Sequence, residues 1–267
     1  MFEYFKQAKR FEIKALERLG PDRLPPPFNP QLRPDLAGAL KKAAQEKGLA
    51  IIAEYKKASP SQGDIALEVK PAEAASAYCA GGAAAISVLT EKSKFKGRLS
   101  FIDKIWRGGA AQANLPLLRK DFVFHPLQIR ATAATPAAAL LLIVKLSPSA
   151  EALSSLIKDA ESFGLQSVVE IVDEDDLRLA RAAEARIIQV NARDFRDLSV
   201  DLSRSLALAR RHLGEKDELW IAASGINNGE DLRKVRESGF SAALVGTALM
   251  RGGRPAEALA RLTAALG

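Results

Sequence analysis

Glu54 and Lys56 stand two residues apart at the end of the apolar run LAIIAEY, so in an extended chain both side chains leave the same face. The pattern recurs. Lys120 closes LPLLRKDF, Glu170 interrupts QSVVEIV, and Asn191 and Arg193 end and follow ARIIQVNA. A carboxylate inside a run of valines is costly in an apolar interior unless a partner neutralises it, and the three cations supply partners. In such a cluster each carboxylate favours a neighbouring ammonium while desolvation opposes it, which is the setting for general acid–base chemistry. A lysine there also leaves a Schiff base open, with Lys120 as the candidate. Ser224-Gly225-Ile226 and Gly246-Thr247-Ala248 close two further runs. Glycine allows close backbone approach and the hydroxyls donate, so this pair of turns suits a phosphate.

These residues need a scaffold that brings distant strand ends together. Eight short apolar runs span residues 49–55, 83–89, 115–122, 138–145, 166–172, 185–192, 218–224 and 241–247. They are nearly continuous in Val, Ile, Leu and Ala, the mark of parallel strands covered on both faces. Amphipathic stretches such as PAEAASAYCAGG and EDLRKVRESG lie between them and end in glycine, as helices often do. Eight strand–helix units predict an α/β fold, a (β/α)8 TIM barrel, whose site lies at the carboxyl ends of the strands. A doubly wound sheet is disfavoured because no G-x-G-x-x-G follows the first run. Residues 1–48 hold two helical patterns around LPPPFNPQLRP and read as a helical extension packed on one barrel domain spanning 1–267.

The composition excludes several classes. No apolar run approaches the roughly 20 residues a membrane span needs. The amphipathic start MFEYFKQAKRFEIKALERL lacks the apolar centre of a signal peptide. The single cysteine, Cys79, forms no internal disulfide and reads as a packed small hydrophobe, so a cytoplasmic protein is expected. A net charge of +7 favours anionic partners. Nucleic acid is not expected, because the basic residues are scattered and aromatics are only 6% of the chain, few for base stacking. The local cluster Lys92, Lys94, Lys96 and Arg98, with Phe95 inside it, reads equally as a solvated loop or as a cover over an anionic ligand. The two histidines, His125 and His212, lie far apart and without cysteine partners, so no metal site is expected. His125 is a candidate lining of the mouth, and His212 reads as a solvated helix residue.

In order and at matching spacing, "IIAEYKKASPSQGDI", "GGAAAISVLTE", "PLLRKDF", "VVEIVDEDDL", "VNARDF", "ASGI" and "ALVGTALMR" make the chain resemble indole-3-glycerol phosphate synthase from end to end. The first and third motifs are the most specific; ASGI and VGTALM alone would fit several phosphate-binding barrels. The resemblance implies closure of the indole pyrrole ring in tryptophan synthesis. The substrate would be 1-(o-carboxyphenylamino)-1-deoxyribulose 5-phosphate, and the products indole-3-glycerol phosphate, CO2 and water, with no metal or organic cofactor. It implies Lys120 as general acid and Glu170 as general base, with Glu54 and Asn191 orienting them and Lys56 contacting the anionic substrate. Ser59 and Arg193 would position the ligand, and Phe95, within a Phe-x-Gly ending at Gly97, would close over the aromatic ring. Ser224, Gly225, Ile226, Gly246 and Thr247 would hold the phosphate. A monomer is expected.

The chain departs from the family where Ala223 replaces a usual glutamate and Gln189 a usual glycine. Pro136-Ala137-Ala138 stands for Gly-Ala-Asp, and Gln62 for a lysine. Two other readings compete: a drifted or engineered barrel enzyme acting on another phosphorylated sugar, and a non-catalytic or nucleic-acid-binding protein on the same fold. Retention of Glu54, Lys56, Lys120, Glu170 and Asn191 together argues against the last.

Overall fold

Each of the eight apolar runs is a strand in the computed structural model, which describes residues 2–20, 23–194, 198–214, 217–264 and 266. In chain order the strands are β1 (Ala50–Tyr55), β2 (Ala58–Ser59), β3 (Gly63–Asp64), β4 (Ala85–Leu89), β5 (Leu117–Val123), β6 (Ala139–Ile143), β7 (Gln166–Ile171), β8 (Ile187–Asn191), β9 (Leu219–Ala223) and β10 (Ala242–Val245). All but β2 and β3 form a closed parallel barrel in the order β1-β10-β9-β8-β7-β6-β5-β4. β1 seals it by pairing Ile52 with Ala85 on one side and with Leu244 on the other.

The continuous apolar runs follow from this geometry. Alternate residues such as Ile52, Leu118, Leu141, Val168, Ile221 and Leu244 fill the barrel interior. Their neighbours, among them Val88, Leu140, Ile188 and Trp220, face the surrounding helices. Both faces are dry, so neither alternates with polar residues. The outer helices start at side-chain caps where the sequence offers Asp or Asn: Asp173, Asp201 and Asn228 each accept a backbone N–H of the first turn.

The extension forms two helices, α1 (Phe2–Leu19) and α2 (Leu36–Lys47), and they serve opposite ends of the barrel. The Gln166 side chain, at the start of β7, accepts from Leu36 and Ala37 N–H and donates to Asp35, which docks α2 at the amino ends of the strands. Leu36 and Leu40 then join the interior core. α1 lies at the other end, where Phe5 stacks on Phe122 with ring centroids 3.8 Å apart and Lys9 reaches Asp121 at 2.8 Å. Between them Arg33 donates to the carbonyls of Ala133, Thr135 and Ala137.

Two boundaries differ from the sequence reading. The run 138–145 leaves the sheet at Ile143, because Val144–Leu146 turn into a 3-10 helix. Lys120 does not end its strand: β5 continues to Val123 through a register shift between Arg119 and Val123. Outside the eight runs, Ala58–Ser59 pairs with Gly63–Asp64 in a short antiparallel hairpin. Among the described residues no helix is long and apolar enough to cross a membrane.

Candidate active site

Inward-facing positions at the carboxyl ends of the strands carry the polar residues. On β1, Glu54 is buried and Lys56 Nζ lies 2.7 Å from its Oε2. This pair packs against Gly246: a Cβ at that position would overlap Glu54 Oε2 and come to 3.0 Å from Lys56 Nζ, so any other residue there displaces the pair. On β5, Lys120 Nζ donates to Glu170 Oε2 at 3.3 Å across the barrel mouth. Glu170, on β7, also accepts from Gln189 Nε2 at 2.5 Å on the same oxygen and from Asn191 Nδ2 at 3.1 Å on Oε1. Asn191 Oδ1 in turn accepts the Arg193 N–H at 3.0 Å. The Arg193 guanidinium donates to the Leu198 carbonyl, and burial lowers its pKa against the opposing field of Glu54.

β9 and β10 supply turns of another kind. Ser224 and Gly225 have φ of 68° and 76°, two successive left-handed residues. A Cβ on Gly225 would also approach Val200 Cγ1 to 2.9 Å. Gly246 and Thr247 follow β10 and open onto the same cavity as Ser224, Gly225 and Ile226. Opposite them the wall is apolar, built from Leu89, Phe95, Phe122, Leu141 and Ile143. One cavity therefore joins a cationic acid–base floor, a glycine-lined polar side and an apolar side.

Next to Lys120 on the chain stands a second charge centre. Asp121 is buried and accepts from Thr90 (2.6 Å), Arg119 (2.9 Å), Lys9 (2.8 Å) and the Phe122 N–H (2.9 Å). Burial alone would raise its pKa, but Arg119 and Lys9 outweigh burial and hold it well below the usual carboxylate range.

Twelve of the sequence candidates line this cavity: Glu54, Lys56, Phe95, Lys120, Glu170, Asn191, Arg193, Ser224, Gly225, Ile226, Gly246 and Thr247. Ser59 does not; it is buried in β2, where its Oγ accepts the Gln62 N–H at 3.2 Å. His125 also stays outside the cavity and caps the helix Pro126–Ala133 by accepting the Leu127 N–H. His212 is half-buried, with Nε2 3.3 Å from Glu174, instead of solvated. Cys79 packs partly buried against the outer core, and burial raises its pKa.

The loop from Lys92 to Arg98 resolves between its two readings. Its lysines and arginine are exposed, with Lys94 over the Tyr4 ring and Lys96 paired to Asp64, and only Phe95 enters the cavity. The Glu91 carboxylate fixes that entry by accepting the N–H groups of Ser93, Lys94 and Phe95 at 2.7, 2.8 and 3.1 Å.

Gln62, noted from sequence only as a departure from the family, and Arg251, not singled out there, line the mouth and bond each other at 2.8 Å. Arg251 was visible as the last residue of ALVGTALMR, and Phe122 as the last of PLLRKDF. Phe195, at the end of VNARDF, lies outside the described residues. No group of His, Cys, Asp and Glu among the described residues could hold a metal ion.

A closed (β/α)8 barrel with an acid–base pair and glycine turns at its carboxyl-end mouth has the architecture of a barrel enzyme. The particular family follows from comparison. The family model for indole-3-glycerol phosphate synthase matches residues 9–262, and the chain belongs to that family. It is thereby an enzyme, a carboxy-lyase of tryptophan biosynthesis. Indole-3-glycerol phosphate synthase of Chloroherpeton thalassium is 36% identical over 253 residues, covering 92% of this chain and 94% of the relative. Those of Rhodococcus jostii and Desulfosudis oleivorans are 41% and 39% identical, over 82% and 79% of this chain and 79% and 78% of theirs. Among solved structures, a 3-hexulose-6-phosphate synthase superposes with a TM-score of 0.63 at 18% identity, covering 82% of this chain and 100% of that one. A thiamine phosphate pyrophosphorylase from Pyrococcus furiosus gives 0.61 at 14%, covering 83% and 97%. Those two likenesses concern the fold alone.

Proposed function

We propose that this chain closes the indole ring of 1-(o-carboxyphenylamino)-1-deoxyribulose 5-phosphate, with Lys120 as general acid and Glu170 as general base. The observation that carries the assignment is their contact, 3.3 Å from Nζ to Oε2, on the floor of a cavity with one apolar and one glycine-lined side. The ring carbon bearing the carboxylate attacks the ketone carbon, and Lys120 gives a proton to the developing alkoxide, where a positioned ammonium has most effect. Carbon dioxide then leaves and its bonding electrons restore the aromatic ring. In the last step Glu170 takes a proton from the new ring while an ammonium at the mouth gives one to the departing hydroxyl, which leaves as water.

Glu54 and Asn191 orient the pair. Lys56 and Arg193 meet the substrate's negative charge, and the turns 224–226 and 246–247 hold the phosphate. Phe95 and the stacked Phe122 form the wall for the aromatic ring. The role expected of Ser59 is indirect in this proposal: it holds the hairpin from which Gln62 reaches the mouth. A single domain over residues 1–267, a cytosolic location and a monomeric state complete the reading, and size-exclusion chromatography checks the last. Lys120→Met is the direct test. Turnover followed by indole fluorescence is expected to fall by about 10²–10⁴-fold with substrate affinity within about tenfold; more than a tenth of the wild-type kcat would refute the assignment.

A further inference from the structure

Gln189 sits on β8 directly across the β7–β8 ladder from Glu170, one inward step below Asn191. It is fully buried and does not line the cavity. Its Nε2 makes the shortest of the three hydrogen bonds to Glu170, at 2.5 Å. Its own Oε1 is buried with no partner among the described residues. An orphaned amide oxygen is unfavourable in a dry interior, and an apolar side chain of similar volume would avoid that cost. Filling space does not account for an amide here; its contact with Glu170 does.

The contact also divides the two oxygens of the carboxylate. An ionised carboxylate offers about four lone-pair sites, two to each oxygen. Among the described residues, Oε2 accepts from both Lys120 and Gln189, whereas Oε1 accepts only from Asn191. Oε2 is filled and Oε1 keeps a free lone pair. We propose that Gln189 is a positioning residue for Glu170: it pins Oε2 and leaves Oε1 as the atom that receives the proton. The inference rests on Glu170 being the base. The proton then moves from the ring of the intermediate to Oε1, its bonding pair stays in the ring as the hydroxyl leaves, and Gln189 gives up no proton.

The test is steady-state kinetics of Gln189→Leu on the full chain with the carboxyphenylamino substrate, beside Glu170→Gln and the double variant. Loss of a hydrogen bond to a charged group is expected to lower kcat of Gln189→Leu by about 10- to 100-fold, with KM within about threefold. Gln189→Met, which keeps an unbranched stem, is expected to behave alike and covers the case in which leucine disturbs folding. The double variant is expected to be no slower than Glu170→Gln alone, because pinning matters only while the carboxylate is present. If both Gln189 variants keep kcat within about twofold of wild type while Glu170→Gln is inactive, the positioning role is overturned and the base assignment stands. If Glu170→Gln itself turns over normally, the base assignment falls and this inference with it.

Discussion

Lys120 and Asp121 are chain neighbours, yet they belong to two charge centres built on different terms. The Asp121 carboxylate is saturated: two cations, a hydroxyl and a backbone N–H take up its oxygens, and all four donors belong to buried residues. Both residues line the cavity, but the Glu170 carboxylate, bonded to Lys120, is one donor short among the described residues. A buried carboxylate with every lone pair engaged has no capacity for a proton or a ligand and serves to join elements, here α1 to the mouth of the barrel. One with a lone pair free beside a cavity is equipped for proton transfer. The contrast shows that burial and pairing alone do not identify a catalytic carboxylate; the unused acceptor does.

Removing each centre should separate the roles. The largest effect on stability is expected for Asp121→Ala, which leaves the buried Arg119 without a carboxylate partner and the buried Lys9 with Glu12 alone. A loss of about 3–5 kcal/mol is expected, read by urea denaturation. Acid should act through the same residue. Its folded pKa is depressed, so its contribution is fully present above the ordinary carboxylate pKa and is lost as pH falls below about 4. The melting temperature of the wild type should therefore drop on the acid side, and the gap to Asp121→Asn should narrow there. A gap that stays constant from neutral pH down to about pH 3 would mean that Asp121 is not the linked group.

On the catalytic side, Gly246→Ala puts a methyl into the space of the Glu54–Lys56 pair. A displacement of that size is expected to lower kcat/KM by about tenfold or more, with a smaller change in stability than Asp121→Ala. The smallest effect is expected for Lys94→Ala. Its ammonium lies on the exposed Tyr4 ring outside the cavity, so stability should stay within about 0.5 kcal/mol and KM should not change.

The barrel was legible because each strand is apolar on both faces, and its mouth because charge breaks those runs at corresponding places. Glu54, Lys120, Glu170 and Asn191 could be read together for that reason. What escaped depends on partners far away in the chain. Lys9 and Asp121 are remote in sequence, and nothing near Lys9 marks it as buried. Gln189 reads as a polar intrusion until the β7–β8 register sets it against Glu170. The run 138–145 is apolar through Val144, yet it leaves the sheet after Ile143, and Lys145 pairs with Asp173 and Asp176. The hairpin around Pro60 consists of two-residue strands, too short to show any periodicity. Ser59 matched a motif and yet faces its own hairpin, because a motif specifies chain position and not side-chain direction.

The central claim is that Glu170, not its saturated neighbour Asp121, carries the proton in ring formation. It is tested most directly by the turnover of Glu170→Gln with the carboxyphenylamino substrate, followed by indole fluorescence on protein shown by melting to be folded. A fall in kcat of about 100-fold or more is expected. A folded variant that keeps more than a tenth of the wild-type rate would contradict the claim.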